Sequence, residues 1–170
     1  YSLFSDERAE TEKHSHVRSG IVYADQGGDF QNRKVLIVSN RQPATQVDGQ
    51  YGNVLVTPIS DAFLSHSHYR FRVQVNPVRK DTQSGKRIAV KGRTDISEWF
   101  LQRAANSWGF EVNPQTLQVD AVDVLQFQDK AGRQVTLGKA HVQGQFTVTD
   151  RLQFHNSFKN GIGKGRAFGC

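Results

Sequence analysis

The clearest pattern in the chain is the run YRFRVQV, from Tyr69 to Val75. Tyr69, Phe71, Val73 and Val75 fall on one face; Arg70, Arg72 and Gln74 fall on the other. A period of two marks a half-buried strand, and Asn76-Pro77 ends it. Further on, Ile96, Trp99, Phe100 and Ala104 recur at helical spacing, which predicts an amphipathic helix. Asp95 reads as its N-cap with Glu98 as the capping-box partner, and Gly109 suits the position just past its end. Residues 117–127 are strand-like with one phase change, the mark of a bulge. QDKAGR makes a turn into a long strand over 135–148, with Ala140, Val142, Gly144, Phe146 and Val148 on one face. Asp150 then caps a short helix in which Phe154 and Phe158 are i,i+4 neighbours.

The first half is less regular. Residues 5–16 are polar and charged. Residues 20–24 and 35–39 are two short strands around the turn residues of DQGGDFQNR, so a hairpin is expected. Residues 54–57 are a third strand candidate, and 58–64 read as one helical turn or a linker.

From Tyr69 the order is strand, helix, strand, strand, helix. That is the split βαβ order of a ferredoxin-like unit without its last strand. The three strands of the first half fit a second copy lacking its opening strand and helix. The expected fold is therefore α+β, with tandem ferredoxin-like (βαββαβ) domains over residues 1–66 and 67–170 whose first and last strands are missing.

Composition narrows the partners. The 170 residues carry a net charge of +6 and a pI near 9.7, which favours an anionic partner: nucleic acid, acidic lipid or a phosphorylated ligand. A single cysteine, Cys170, excludes an internal disulfide and a cysteine-built zinc site and suits a reducing, cytoplasmic setting. No apolar run approaches the roughly 20 residues that cross a bilayer, so no membrane partner is expected. The chain has no methionine and begins at Tyr1, from which further residues upstream are expected.

Phosphate chemistry is suggested by the closing stretch GIGKGRAFGC. Its glycines lack the P-loop order, and they follow a predicted helix, whereas a dinucleotide loop leads into one. A nucleotide cofactor is therefore not expected. What survives is a glycine turn at Gly161 and Gly163 that brings backbone amides, Lys164 and Arg166 to a phosphodiester chain. The alternative is a helix C-cap and a tight turn into a strand. Arg79, Lys80, Lys86, Arg87, Lys91 and Arg93 form a basic loop, and Lys130 and Arg133 sit at a hairpin tip. Such clusters either track phosphates, with salt-dependent binding, or are solvated surface. His14 with His16, and His66 with His68, would each share one face if they lay on a strand, but no third and fourth ligands accompany them, so no metal site is expected. No Ser-His-Asp set or carboxylate pair stands out, Asp120 and Asp123 included.

Taken together, YRFRVQVNPVRK, GKRIAVK, the helix bearing Trp99 and NGIGKGRAFGC resemble the CasE family, the CRISPR RNA-processing endoribonucleases of type I-E Cascade and members of the RAMP superfamily. The resemblance covers about residues 69–170 and is thin over 5–68, although LFSDER near the start is also similar. It implies tandem ferredoxin-like domains. It implies a stem-loop of CRISPR repeat RNA as substrate, and cleavage without metal at the 3′ base of the stem through 2′-hydroxyl attack. The product would be retained as a Cascade subunit in antiviral defence, beside other Cascade proteins and without a small-molecule cofactor. The family's acid/base histidine would lie upstream of Tyr1; the role does not pass to His14 or His16. Stem-gripping positions would be Lys130 and Arg133 at the hairpin and Lys164 and Arg166 in the glycine loop, with the loop containing Arg79, Lys80, Lys86 and Arg87 as a further candidate. The rival reading is a non-catalytic RNA-binding scaffold subunit of a CRISPR ribonucleoprotein.

Overall fold

The structure is a computed structural model of the chain and describes residues 3–4, 20–47, 52–128, 132 and 134–163. Two antiparallel strands, β1 (Ile21–Gly28) and β2 (Arg33–Ser39), form the expected hairpin. Asp29 shapes its turn by accepting from the amides of Gln31 at 2.8 Å and Asn32 at 2.6 Å. Gly28 is required there: its φ is 135°, and a Cβ would lie 2.0 Å from the carbonyl oxygen of Asn32.

The third strand expected over 54–57 does not form. The nearest pairing among the described residues is an isolated bridge between Gln46 and Asn53, and Leu55 is 95% exposed. Val54, Val56 and Thr57 have strand-favouring side chains, but strand preference expresses itself only against a neighbouring strand that satisfies the backbone. Of the two readings of 58–64, the helical turn holds. It is α1 (Asp61–Ser65), whose cap Ser60 accepts from the amide of Phe63 at 3.2 Å.

The rest of the chain runs β3 (His68–Val75), β4 (Val78–Lys80), β5 (Arg87–Ala89), α2 (Arg93–Arg103) with a π-helical segment at Ala104–Trp108, β6 (Phe110–Val112), β7 (Gln118–Gln128), β8 (Gln134–Val148) and α3 (Arg151–Asn160). Strand β8 is central. β3 pairs with one of its edges, while β6 and then β7 pair with the other, all antiparallel. First strand, third, then second is the ferredoxin-like order. The expected bulge in β7 lies between Val119 and Ala121.

The two helices cover one face of this sheet. Val75, Ile96, Phe100, Ala104, Ala140 and Val142 are fully buried there, each contributing on the order of 1.5–3 kcal/mol if large and apolar. Phe71 stacks on Phe100 with ring centroids 5.4 Å apart, and Phe110 stacks on Phe146 at 4.2 Å. Gly144 leaves room for Phe71, whose Cε1 would lie 3.2 Å from a Cβ at that position.

The helices follow the sequence at three places and depart from it at one. Gly109 adopts φ 80° past the π-helical segment. Its carbonyl accepts from the amides of Thr149 and Asp150 at 3.0 Å, which locks the helix end to the start of α3. Asp150 caps α3 by accepting from the amide of Gln153 at 2.9 Å. Phe154 and Phe158 are in ring contact at 6.3 Å. Asp95, however, is not a cap. Gly92 is the N-cap at φ 87°, and its carbonyl accepts from the amide of Ile96 at 3.0 Å. A glycine at positive φ turns the chain into the helix earlier than the sequence suggests. Asp95 then lies in the first turn, where its charge suits the helix dipole. Residues 164–170, after the glycine turn, lie outside those described.

Candidate nucleic-acid interface

The basic loop becomes a built element. Arg79 and Lys80 lie in β4, Arg87 lies in β5 and Lys86 just precedes it, all exposed. The register sets Lys80 directly opposite Arg87 and Arg79 opposite Ile88. Like charges facing across a strand pair are unfavourable, and the charged side chains of these four form no ion pair or hydrogen bond with other described residues. The turn is fixed by Asp81, whose Oδ1 accepts from the amide of Ser84 at 2.7 Å and its hydroxyl at 2.6 Å. The amide of Asp81 donates to Lys86 O at 2.8 Å, and that of Gly85 to Asp81 O at 3.0 Å. The Ser84 hydrogen bonds, with a smaller contribution from the charge of Arg79, hold the Asp81 carboxyl below its usual range. The acid nearest the cations is thus engaged by the turn itself.

This hairpin stands on the core. Trp99 Nε1 donates to Val78 O at 3.1 Å, and Val90 N donates to Pro77 O at 2.9 Å. An open hollow of about 480 Å³ is lined by Lys80 to Gly85. Of the flanking cations, Arg93 is tied to Asp120 O at 3.1 Å.

The glycine turn follows α3 as expected. Gly161 and Gly163 have φ of 70° and 73°, and Ile162 between them packs against the core. A Cβ at Gly163 would meet nothing within 4 Å, so φ, not crowding, selects glycine there. Lys164 and Arg166 of this turn lie outside the described residues, as do Lys130 and Arg133.

The sequence reading assigned no role to the polar side of YRFRVQV. Arg70 and Arg72 are exposed there on the face opposite the helices, across from Gln145 and Gln143 of β8. Their only signal in the sequence was two arginines at i and i+2.

Histidines take separate places. His66 meets the ring of Tyr69 edge-on at 6.2 Å, His141 Nε2 lies 3.7 Å from Asp123 Oδ2, and His155 Nε2 is 3.2 Å from Leu64 O. Among the described residues, no three His, Cys, Asp or Glu side chains are grouped to hold a metal ion. Tyr69 donates to Phe63 O at 2.5 Å, and burial pushes its phenol above the ordinary range. No helix of the described residues is long and apolar enough to cross a membrane.

Comparisons with known proteins agree with this architecture. The chain is 28% identical over 146 residues to the CRISPR-associated endoribonuclease Cse3 of Thermus thermophilus, covering 79% of this chain and 69% of that protein. A structure of CRISPR endoribonuclease Cse3 bound to 19 nt RNA superposes with a TM-score of 0.75 at 21% identity, over 88% of this chain and 76% of its own. A chain of a CRISPR RNA-guided surveillance complex matches with a TM-score of 0.66 at 22% identity, over 93% of this chain and 78% of its own. These likenesses give the chain the ferredoxin-like fold of Cse3. The model of the CRISPR associated protein family matches residues 1–170; the chain belongs to that family.

Proposed function

We propose that the chain is a CRISPR RNA-processing endoribonuclease that grips the stem-loop of a repeat and keeps the product as a Cascade subunit. The observation that carries the RNA-binding part is the β4–β5 hairpin. It presents Lys80 against Arg87, with Arg79 and Lys86 beside them, on a foundation of buried aromatic rings. A cation pair that opposes itself in the free protein gains when an external polyanion neutralises it. The named activity of Cse3, the 28% identical relative, supports the cutting part. The Cse3 structure bound to RNA and the surveillance-complex chain support the substrate and the assembly.

In this reading the residues divide into units at 1–66 and 67–170, acting in the cytoplasm. Lys130, Arg133, Lys164, Arg166, Gly161 and Gly163 join the β4–β5 cations on the RNA. The RNA supplies its own nucleophile. The 2′-hydroxyl attacks the adjacent phosphorus as its proton passes to a base. The P–O5′ bond breaks, and the leaving 5′-oxygen takes up a proton. An acid/base side chain takes the first proton and supplies the second. The protein's described residues align the stem so that the attacking and leaving oxygens come into line.

The test is incubation of a repeat stem-loop RNA with the protein in EDTA. One cut leaving a 2′,3′-cyclic phosphate is expected. A requirement for magnesium would overturn the chemistry, and tight binding without a cut would favour the scaffold.

A further inference from the structure

The helix-free face of the sheet holds a second polar site, away from the β4–β5 hairpin. His68, Arg70 and Arg72 are exposed along β3. Across from them on β8 lie Thr147, Gln145 and Gln143 in register. At one end this face is roofed, because Gln74 Nε2 donates to Asp25 O of β1 at 3.1 Å. At the open end a hollow of about 290 Å³ is lined by His68, Tyr69, Arg70, Asn113, Gln145 and Thr147, with Phe146 beneath.

The hollow is preorganised. Asn113 N donates to Gln145 O at 2.9 Å, and Gln145 N donates to Thr116 Oγ1 at 3.0 Å. Asn113 Oδ1 accepts from Gln115 N at 3.0 Å, which leaves its side-chain NH2 as the donor. Beside it, Gln143 Nε2 is held by Gln118 Oε1 and Asp120 Oδ1, each at 3.1 Å, so the oxygen of Gln143 remains as an acceptor. Backbone ties fix the frame, while Arg70, Arg72 and the Gln145 side chain have no hydrogen-bond or ion-pair partner among the described residues. Glu111, exposed on β6 and paired in register with Thr147, adds an acceptor on this face that repels a bare phosphate and suits a base amino group.

We propose that this hollow takes one unpaired RNA nucleotide from a segment flanking the stem. The base edge would lie against Gln145, Asn113 and Glu111, and the strand's phosphates would follow Arg70 and Arg72. Those two residues stand about 6.6 Å apart on the strand, within reach of successive phosphates of one chain. A duplex keeps its bases paired and stacked and cannot place one in a hollow; a single strand can. This site rests on the proposed RNA function and extends it to a second segment of the same molecule.

The test compares a blunt stem-loop RNA, the same stem-loop with a short unpaired 5′ or 3′ extension, and an unstructured oligonucleotide of similar length, each bound to the full chain. One extension should tighten binding about tenfold. R70Q with R72Q should remove that gain, leave the blunt stem-loop within about twofold, and lower the salt slope of the extended RNA by about 1.4, two single-strand contacts at about 0.7 each. The site is overturned if neither extension tightens binding, or if the double substitution weakens blunt and extended RNA equally. If the blunt stem-loop fails to bind the unsubstituted protein, the proposed function falls. The unstructured oligonucleotide still decides this site, by whether the double substitution weakens it.

Discussion

Two hairpins, one with strands of 8 and 7 residues and one with strands of 3 residues each, are built on opposite electrostatic plans. In β1–β2, Asp25 and Arg33 meet across the strands, with Arg33 Nε donating to Asp25 Oδ2 at 2.9 Å and Nη2 to the same oxygen. In β4–β5, Lys80 faces Arg87. The first hairpin neutralises itself, and the second leaves its charge unspent. They also differ in support: Trp99 fastens β4–β5 to the core, whereas β1 meets the sheet through its polar side at Gln74. A fold that spends a buried tryptophan to steady a pair of repelling cations is holding them for something outside the chain.

The largest way to break the comparison is at that foundation. Phe100 is fully buried, stacked on Phe71 and edge-on to Trp99 and Trp108. Phe100→Ala should cost about 3–5 kcal/mol of stability. By hydrogen exchange, protection should fall in β3, β8 and β4–β5 ahead of β1–β2. Equal loss in both hairpins would show that they share one foundation.

Next comes charge. Lys80→Ala with Arg87→Ala should weaken binding of a stem-loop RNA about tenfold at low salt and lower the slope of log affinity against log salt by about 1.8, two duplex contacts at 0.9 each. The same change should leave melting unchanged or slightly raised, since it removes a like-charge pair. Unchanged affinity with raised stability would make β4–β5 a solvated hairpin and no more.

The sequence made the second half legible and the first half only in part, for physical reasons. Tyr69–Val75 alternates because one face of β3 is buried and the other is open, so its strand could be read residue by residue. Phe154 and Phe158, or Gly109 after Trp108, are local signals with local outcomes. Val54–Thr57 failed because strand preference needs a neighbour, and no window of sequence contains one. Asp95 failed because Gly92, a weaker sequence signal, had the backbone freedom to start the helix first. The β4–β5 cations were seen as a loop, since three-residue strands are too short to show a period. Their opposition became visible only through register, as did the hollow between His68 and Asn113, whose residues are far apart in the chain.

A smaller effect tests the support alone. Trp99→Phe keeps a six-membered aromatic ring but removes the N–H donor to Val78 O, and loss of that hydrogen bond should cost about 1 kcal/mol. Exchange at Val90, whose amide bonds Pro77 O, should quicken, and RNA affinity should fall less than for the double charge removal. An affinity loss as large would mean that placement of the cations matters as much as their charge.

The smallest effect separates the two plans through pH. Both hairpins contain a carboxylate held below its ordinary range, for different reasons. Asp25 is lowered first by its hydrogen bonds to Arg33 and then by the amide of Gly27; Asp81 is lowered first by the hydroxyl and amide of Ser84. A depressed carboxyl favours the ionised form in the folded state. Each contribution is therefore complete above the unfolded value and is lost as pH falls through the folded one, below the usual carboxylate range. Carbon-13 titration of the two carboxyls should show both midpoints low. Added salt should move the Asp25 midpoint up toward normal, because its partner is a charge in water's reach, and should leave Asp81 nearly in place, because its partners are neutral. If salt moved both alike, Asp81 would be held by the neighbouring cations and not by its turn. The β4–β5 charge would then be partly neutralised from within, and the contrast with β1–β2 would narrow to a difference of degree.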